Sequence, residues 1–187
     1  MKKLILASKS PRRRQLLEMA EIDFEIISID TDESFPADLP IGQIPTFIAQ
    51  HKAIPIATKY PDRVVLAADT IVVLNQQIIG KPKDRQDAIQ ILTKLSGNTH
   101  EVITGVWLQQ NNKSRSFADH TFVEFHPISP AQIEFYVDNY KPYDKAGAYA
   151  IQEWIGAIAI KRIEGCFYNV MGLPISKVVQ EISNLCS

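Results

Sequence analysis

The sequence predicts a mixed α/β or α+β fold on a mixed β-sheet, and three patterns lead to it. Short apolar runs, as at residues 4–7, alternate with stretches whose apolar residues recur at helical spacing, as at residues 44–58. Some strand-like runs follow one another across a bare turn and so form hairpins, while others are separated by a helix and so require crossovers. The chain has 187 residues, is 45% hydrophobic and shows no repeat, low-complexity tract or linker, which fits one domain or two small lobes sharing a sheet.

Composition narrows the function classes. With 20 basic against 21 acidic residues the net charge is -1, so the totals do not point to a surface that wraps a nucleic acid polymer. A small anion met by a local cluster stays open. The N-terminal apolar run stops at Ser8-Lys9-Ser10, too short for a signal peptide core, and no apolar stretch approaches the roughly 20 residues of a membrane span. A cytosolic protein is the expectation. Cys166 and Cys186 are too few for a disulfide framework or metal clasp and read as reduced structural thiols. His51, His100, His120 and His126 are scattered, without metal-ligand spacing, and read as surface or satisfied core residues.

In chain order, residues 4–7 form a strand that runs straight into Ser8-Lys9-Ser10-Pro11-Arg12-Arg13-Arg14. Ser10 suits an N-cap and Pro11 a first helical position, so a helix is expected from Pro11 to about Ala20. A strand feeding a helix N-terminus presents free N–H groups and the positive end of the dipole. With Ser8, Ser10, Arg12 and Arg13 it makes either an anion cradle or an ordinary capped helix with a solvated basic face. Neither the dinucleotide-binding nor the Walker glycine pattern occurs. Residues 24–29 read as a second strand. The acidic loop Asp30-Thr31-Asp32-Glu33-Ser34 after it is either solvated or a set of oxygen ligands for a hard cation.

Residues 44–58 read as a helix with Pro45 in its first turn, kinked or ended at Pro55. By itself Lys52 reads as a surface lysine. In residues 64–74 an apolar strand is interrupted by Asp69-Thr70, and an ionised group inside a buried strand is costly unless something binds it. The other reading of Asp69 is a strand-end residue capping a turn. Residues 71–74 and 77–79 form a hairpin turning at Asn75-Gln76, which would return Lys81 near the level of Asp69, as a salt-bridge partner or a phosphate ligand.

Residues 84–95 form a helix capped by Asp84 and stopped at Gly97. Residues 101–108 and 117–125 pair as antiparallel strands around Asn111-Asn112. Ser129-Pro130-Ala131-Gln132 is a capping box opening a helix to about Tyr140. Residues 144–152 are rich in small side chains where backbone can approach a ligand. Gln152 carries the donor and acceptor a nucleobase edge uses, unless it is a plain surface glutamine. Residues 155–163 read as a strand and residues 169–174 as a tight connection. Residues 174–185 read as a closing helix that buries Ile175, Val178, Val179, Ile182 and Leu185.

Several stretches, in order, resemble one family. LASKSPRRRQLL is similar to the S-x-S-P-R-R signature of the Maf proteins, and AADTIVVLNQQIIGKP to their A-D-T-x-V and G-K-P segments; KAGAYAIQ and NVMGLP resemble their C-terminal motifs. The resemblance spans nearly the whole chain. It implies a nucleoside triphosphate pyrophosphatase that cleaves between the α and β phosphates with a divalent cation, Mg2+ or Mn2+. The implied fold resembles that of the inosine triphosphate pyrophosphatases: an elongated mixed sheet flanked by helices, two lobes with a central cleft, commonly in a homodimer. By position it makes Asp69 the catalytic carboxylate, Glu33 its partner in holding the cation, and Ser8, Arg12, Arg13, Lys52 and Lys81 phosphate-facing. The K-A-G-A-Y-x-I-Q pattern is similar to the subgroup acting on dTTP and UTP, in which the residues matching Arg12, Thr70 and Gln152 influence base choice. A nucleotide-binding regulator of septum formation, with incidental hydrolysis, is the alternative implied by the same family. This chain departs from the family pattern at Pro55, at the added carboxylates Asp30 and Asp32, and at Cys166.

Overall fold

The structure is a computed structural model that describes residues 3–186, apart from the Cys186 side chain, so the readings of Met1, Lys2 and the Cys186 thiol lie outside the described residues. The chain divides into two compact units. The first comprises Met1–Thr70, Thr104–Asp119 and Gly172–Ser187, the second Ile71–Ile103 and His120–Met171.

One mixed sheet has the strand order β2-β1-β3-β5-β6-β7, with β4 paired to β3. β1 (Leu4–Leu6) pairs in parallel with β2 (Phe24–Ile26), Leu4 opposite Phe24, and with β3 (Val65–Leu74), Ile5 opposite Val65. Parallel neighbours require crossovers, and α1 (Pro11–Met19) and α2 (Ile44–Lys59) supply helices for them. β4 (Gln77–Ile79) is antiparallel to β3 with Val72 opposite Ile79, across a turn in which Asn75 and Gln76 have φ of 50° and 61°. Those angles are what a two-residue hairpin turn of the primed kind needs. β5 (Thr99–Gln110) and β6 (Lys113–Phe125) join across Asn111-Asn112, and β7 (Ile160–Glu164) is antiparallel to β6. The mixed sheet with helices is thus as the sequence predicts.

The core of the first unit follows from strand alternation. Ile5 and Ala7 on one strand and Val65 and Ala67 on the next point to one face, where they meet Ala49, Ala53, Ile56 and Ala57 of α2. These α2 positions recur at helical spacing, and their small side chains let the helix lie close to the sheet. Gly105 of β5 takes this furthest: a Cβ there would come within 2.1 Å of the Thr46 backbone nitrogen. In the second unit α3 (Arg85–Leu95) starts at Asp84, whose side chain accepts from Asp87 N–H, and α4 (Pro130–Tyr140) starts with the expected Ser129–Gln132 capping box.

Five expectations need correction. β2 ends at Ile26 because β1 is only three residues long; Ile27 N–H makes the last bond, to Leu6 carbonyl, before β1 gives way to Ser8. Pro55 lies inside α2 at an exposed position and does not end it. Residues 155–163 are not one strand: α5 (Trp154–Ala159) buries Ile155 and Ala159, four apart, and only then does β7 begin. An apolar run without polar alternation carries no period to separate the two. In the connection that follows, α6 (Phe167–Val170) is a single helical turn, and in α7 (Ile175–Cys186) Val179 is 41% exposed rather than buried. Among the described residues no helix is long and apolar enough to cross a membrane.

His100 is buried in the second unit, with Nε2 2.7 Å from the Tyr149 hydroxyl and its ring edge-on to Phe125. Burial lowers its pKa to about 4. The folded imidazole therefore stays neutral where the unfolded one, titrating at 6.5, takes a proton. This contribution is fully present above pH 6.5 and is lost as pH falls toward 4, at most about 1.4 kcal/mol per pH unit. Urea titrations of wild type and His100→Leu between pH 7 and 4.5 are expected to converge as pH falls; parallel curves would contradict the assignment.

Candidate functional site

Where β1 hands over to α1, two serines and an arginine interlock. Ser10 caps α1, its side chain accepting from Arg13 N–H, and its own N–H donates to Ser8 Oγ at 3.2 Å. Arg13 is buried, and its guanidinium ties together three distant segments. Nε donates to Gly172 carbonyl at 2.8 Å, Nη1 to Ser8 Oγ at 3.1 Å and Nη2 to Thr70 Oγ1 at 3.1 Å. Thr70 Oγ1 also lies 2.9 Å from the hydroxyl of Thr104, a fully buried residue of β5. Gly172 turns with φ of 111°, a conformation that favours glycine, and so offers its carbonyl to Arg13. Burial lowers the Arg13 pKa, Asp69 and Glu33 act against that, and Arg12 adds to it. An arginine keeps its charge at neutral pH even so. With at least three of its N–H groups directed at the protein, Arg13 is first a tie for the site.

A second cluster forms between α2 and β3. Alternation puts Asp69 on the strand face of Val65 and Ala67, which is the face α2 covers, and puts Thr70 on the other. Lys52, three residues after Ala49 and four before Ile56, therefore reaches Asp69. Its Nζ is 2.7 Å from Asp69 Oδ1 and also 2.7 Å from Glu33 Oε1. The side chains of Lys52 and Asp69 are 16% and 15% exposed, that of Glu33 53%. Lys52 is thus no surface lysine, and its local sequence could not say so apart from the family resemblance, because its partner lies on another element. In the acidic loop, Asp30 pairs with Lys9 and Asp32 accepts from Ser34, which leaves Glu33 as the loop carboxylate that turns to Lys52.

Two hard carboxylate oxygens that converge on one ammonium mark a place where positive charge belongs. Both oxygens lie 2.7 Å from one ammonium, so ligands of the kind a hard cation takes sit close together here. Among the described residues no group of three or more His, Cys, Asp or Glu side chains is arranged to hold a metal alone. A cation here would need further oxygens from a ligand, as phosphates provide.

The structure thus brings together Ser8, Arg13 and Thr70 in one network and Glu33, Lys52 and Asp69, the residue before Thr70, in another, all in the first unit. Arg12 is half-buried in the same unit. Lys81 and Gln152 are exposed residues of the second unit, Lys81 two positions past the end of β4. Cys166 is a free thiol whose backbone N–H and carbonyl bond the Thr121 hydroxyl. Sequence reading missed Thr104 and Gly172. A lone hydroxyl inside the apolar run Val102-Ile103-Thr104-Gly105-Val106 was the available signal for the first.

The family described as Maf-like protein matches residues 3–185 of this chain. A protein of Cytophaga hutchinsonii named dTTP/UTP pyrophosphatase is 48% identical over 182 residues, covering 97% of this chain and 84% of that protein. A Bacteroides thetaiotaomicron protein of the same name is 45% identical over 184 residues, covering 97% and 95%. One of Porphyromonas gingivalis, also so named, is 42% identical over 186 residues, covering 97% and 94%. Among solved structures, the Staphylococcus aureus Ham1 protein superposes with a TM-score of 0.53 at 17% identity, covering 96% of this chain and 100% of that one. The HAM1 protein from Coxiella burnetii gives 0.53 at 14%, covering 98% and 100%. These two likenesses are of fold.

Replacing Arg13 by Met removes the donor from three oxygens at once, two of them on buried or nearly buried groups. The expected result is a loss of about 3 kcal/mol in urea unfolding. A loss below about 0.5 kcal/mol, the usual range for surface changes, would contradict the role of Arg13 as the tie.

Proposed function

This chain belongs to the Maf family, and we propose that it is a nucleoside triphosphate pyrophosphatase hydrolysing dTTP and UTP to the monophosphate and pyrophosphate. The substrate class comes from the names of its relatives. The observation that supports the chemistry is Lys52 held between Asp69 and Glu33. Without a ligand, two carboxylates and an ammonium satisfy one another. A triphosphate tail brings negative charge that draws on the same lysine, and the carboxylates are then free for other work.

In this reading Asp69, mostly buried, orients the attacking water and takes its proton as the oxygen meets the α phosphorus. The α–β anhydride bond breaks and pyrophosphate leaves with the bonding electron pair. Lys52 offsets charge on the phosphate oxygens, where a fixed cation in a partly dry site is worth more than in water. Arg12 and Ser8 contribute donors to the same tail. A divalent cation, Mg2+ or Mn2+, supplies further neutralisation of the phosphates when bound, and Glu33 and Asp69 would hold it. Arg13 keeps Ser8 and Thr70 in register for this and is also given a phosphate-facing role. Lys81 is assigned to phosphate, and Arg12, Thr70 and Gln152 to base choice, on the match of their motifs to the family. The reading extends to residues 1–187 as one domain, acting as a homodimer in the cytosol.

Pyrophosphate release across dTTP, UTP, dCTP and ATP with Mg2+ and Mn2+ tests the proposal. The expected order puts dTTP and UTP first, and Asp69→Asn is expected to lower release about 1000-fold. Its dTTP affinity by calorimetry should stay within about threefold. Preference for purines would refute the substrate assignment, and an Asp69→Asn enzyme within about tenfold of wild type would refute the role of Asp69.

A further inference from the structure

The turn that carries Gln152 is held by a partly buried polar network. Glu153 N–H donates to Ala150 carbonyl at 3.1 Å, closing a four-residue turn with Gln152 third in it, its side chain exposed. Both ends of that turn meet one hydroxyl. Tyr136, fully buried on α4, accepts from Ala150 N–H at 3.2 Å and donates to the Glu153 carboxylate. Lys145, whose side chain is 10% exposed, approaches the same carboxylate at 3.7 Å and Asp144 at 2.7 Å. The segment is further pinned where Gly147 N–H donates to Gly80 carbonyl at 3.1 Å, next to Lys81. All of this lies within the second unit.

Placing a lysine and a tyrosine hydroxyl largely out of water beside a glutamate that is only 24% exposed is costly, and apolar residues of similar size would hold a turn as firmly. What such a network adds is a fixed geometry. Gln152 needs one, because its amide reads a base edge with a donor and an acceptor together, and both bonds form only where the backbone sets the amide at one distance and angle. Thymine and uracil present a carbonyl and a ring N–H where cytosine presents an amino group and a bare ring nitrogen. We propose that Tyr136, Glu153 and Lys145 are positioning residues that hold the Gln152 turn in place and so set the preference for thymine and uracil over cytosine. This rests on the reading of Gln152 as a base-recognising residue.

The test measures kcat and KM for dTTP and dCTP with the full chain carrying Tyr136→Phe, Glu153→Gln or Gln152→Ala, with thermal unfolding as the check on folding. Both network variants are expected to fold, to narrow the dTTP to dCTP ratio of kcat/KM by about tenfold, and to do so mainly through KM, with kcat on dTTP within about threefold of wild type. If Gln152→Ala narrows the ratio and the network variants leave it within about twofold, the positioning role is overturned. If Gln152→Ala leaves the ratio unchanged while dTTP is still hydrolysed, the reading of Gln152 fails and the proposal falls with it, without touching the roles of Asp69 and Lys52. Equal losses on both nucleotides together with a lowered Tm mark a merely structural network and also overturn it.

Discussion

An aspartate stands in the middle of a ten-residue apolar strand, and its charge has to be answered. Lys52 answers it at 2.7 Å, and because Glu33 leans on the same ammonium at the same distance, one lysine fixes two carboxylates. An isolated buried charge would shift its titration or be expelled; a paired one can stay. The pairing also holds Asp69 in one orientation before any substrate arrives. In the proposed function this aligns the group that acts on water through an interaction already made in the folded state.

The rest of the first unit serves this arrangement through the two-residue period of β3. Ala67 and Asp69 face α2, so the small alanines of the helix bring Lys52 within reach; Thr70 faces away and is taken up by Arg13 and Thr104. Adjacent residues of one strand thereby join two different networks. Arg13 is the counterpart of Lys52 on that second side, a buried cation whose fixed fork meets a backbone carbonyl and two hydroxyls rather than acids. A lysine there, with its single point of charge, would not satisfy three separated acceptors.

Local chemistry was legible in the sequence where a structure is decided locally. Ser10 with Pro11, Asp84, and Ser129 with Gln132 each start a helix where capping requires, and Asn75-Gln76 turns the hairpin. What failed depended on neighbours far along the chain. Trp154-Ile155-Gly156-Ala157-Ile158-Ala159 is apolar enough for a strand, but Gly156 tucks its α-carbon against the Ile151 carbonyl, where a Cβ would come to 1.8 Å, and the segment coils. Val179 belongs to the apolar period of α7 yet stays 41% exposed, while β2 stops because its partner does. The site divides in the same way. Asp69 was visible as a charge out of place, Lys52 became more than a surface residue only through the resemblance to the Maf family, and Thr104 went unseen because a single buried hydroxyl looks like any strand threonine.

The central claim is that Lys52 and Asp69 act as one unit. The most direct test is a double-mutant cycle on pyrophosphate release from dTTP, with Lys52→Met, Asp69→Asn and both together. Coupled residues predict a double variant no more than about threefold slower than Asp69→Asn alone. Losses that multiply, so that the double variant falls by the product of the two single effects, would contradict the account.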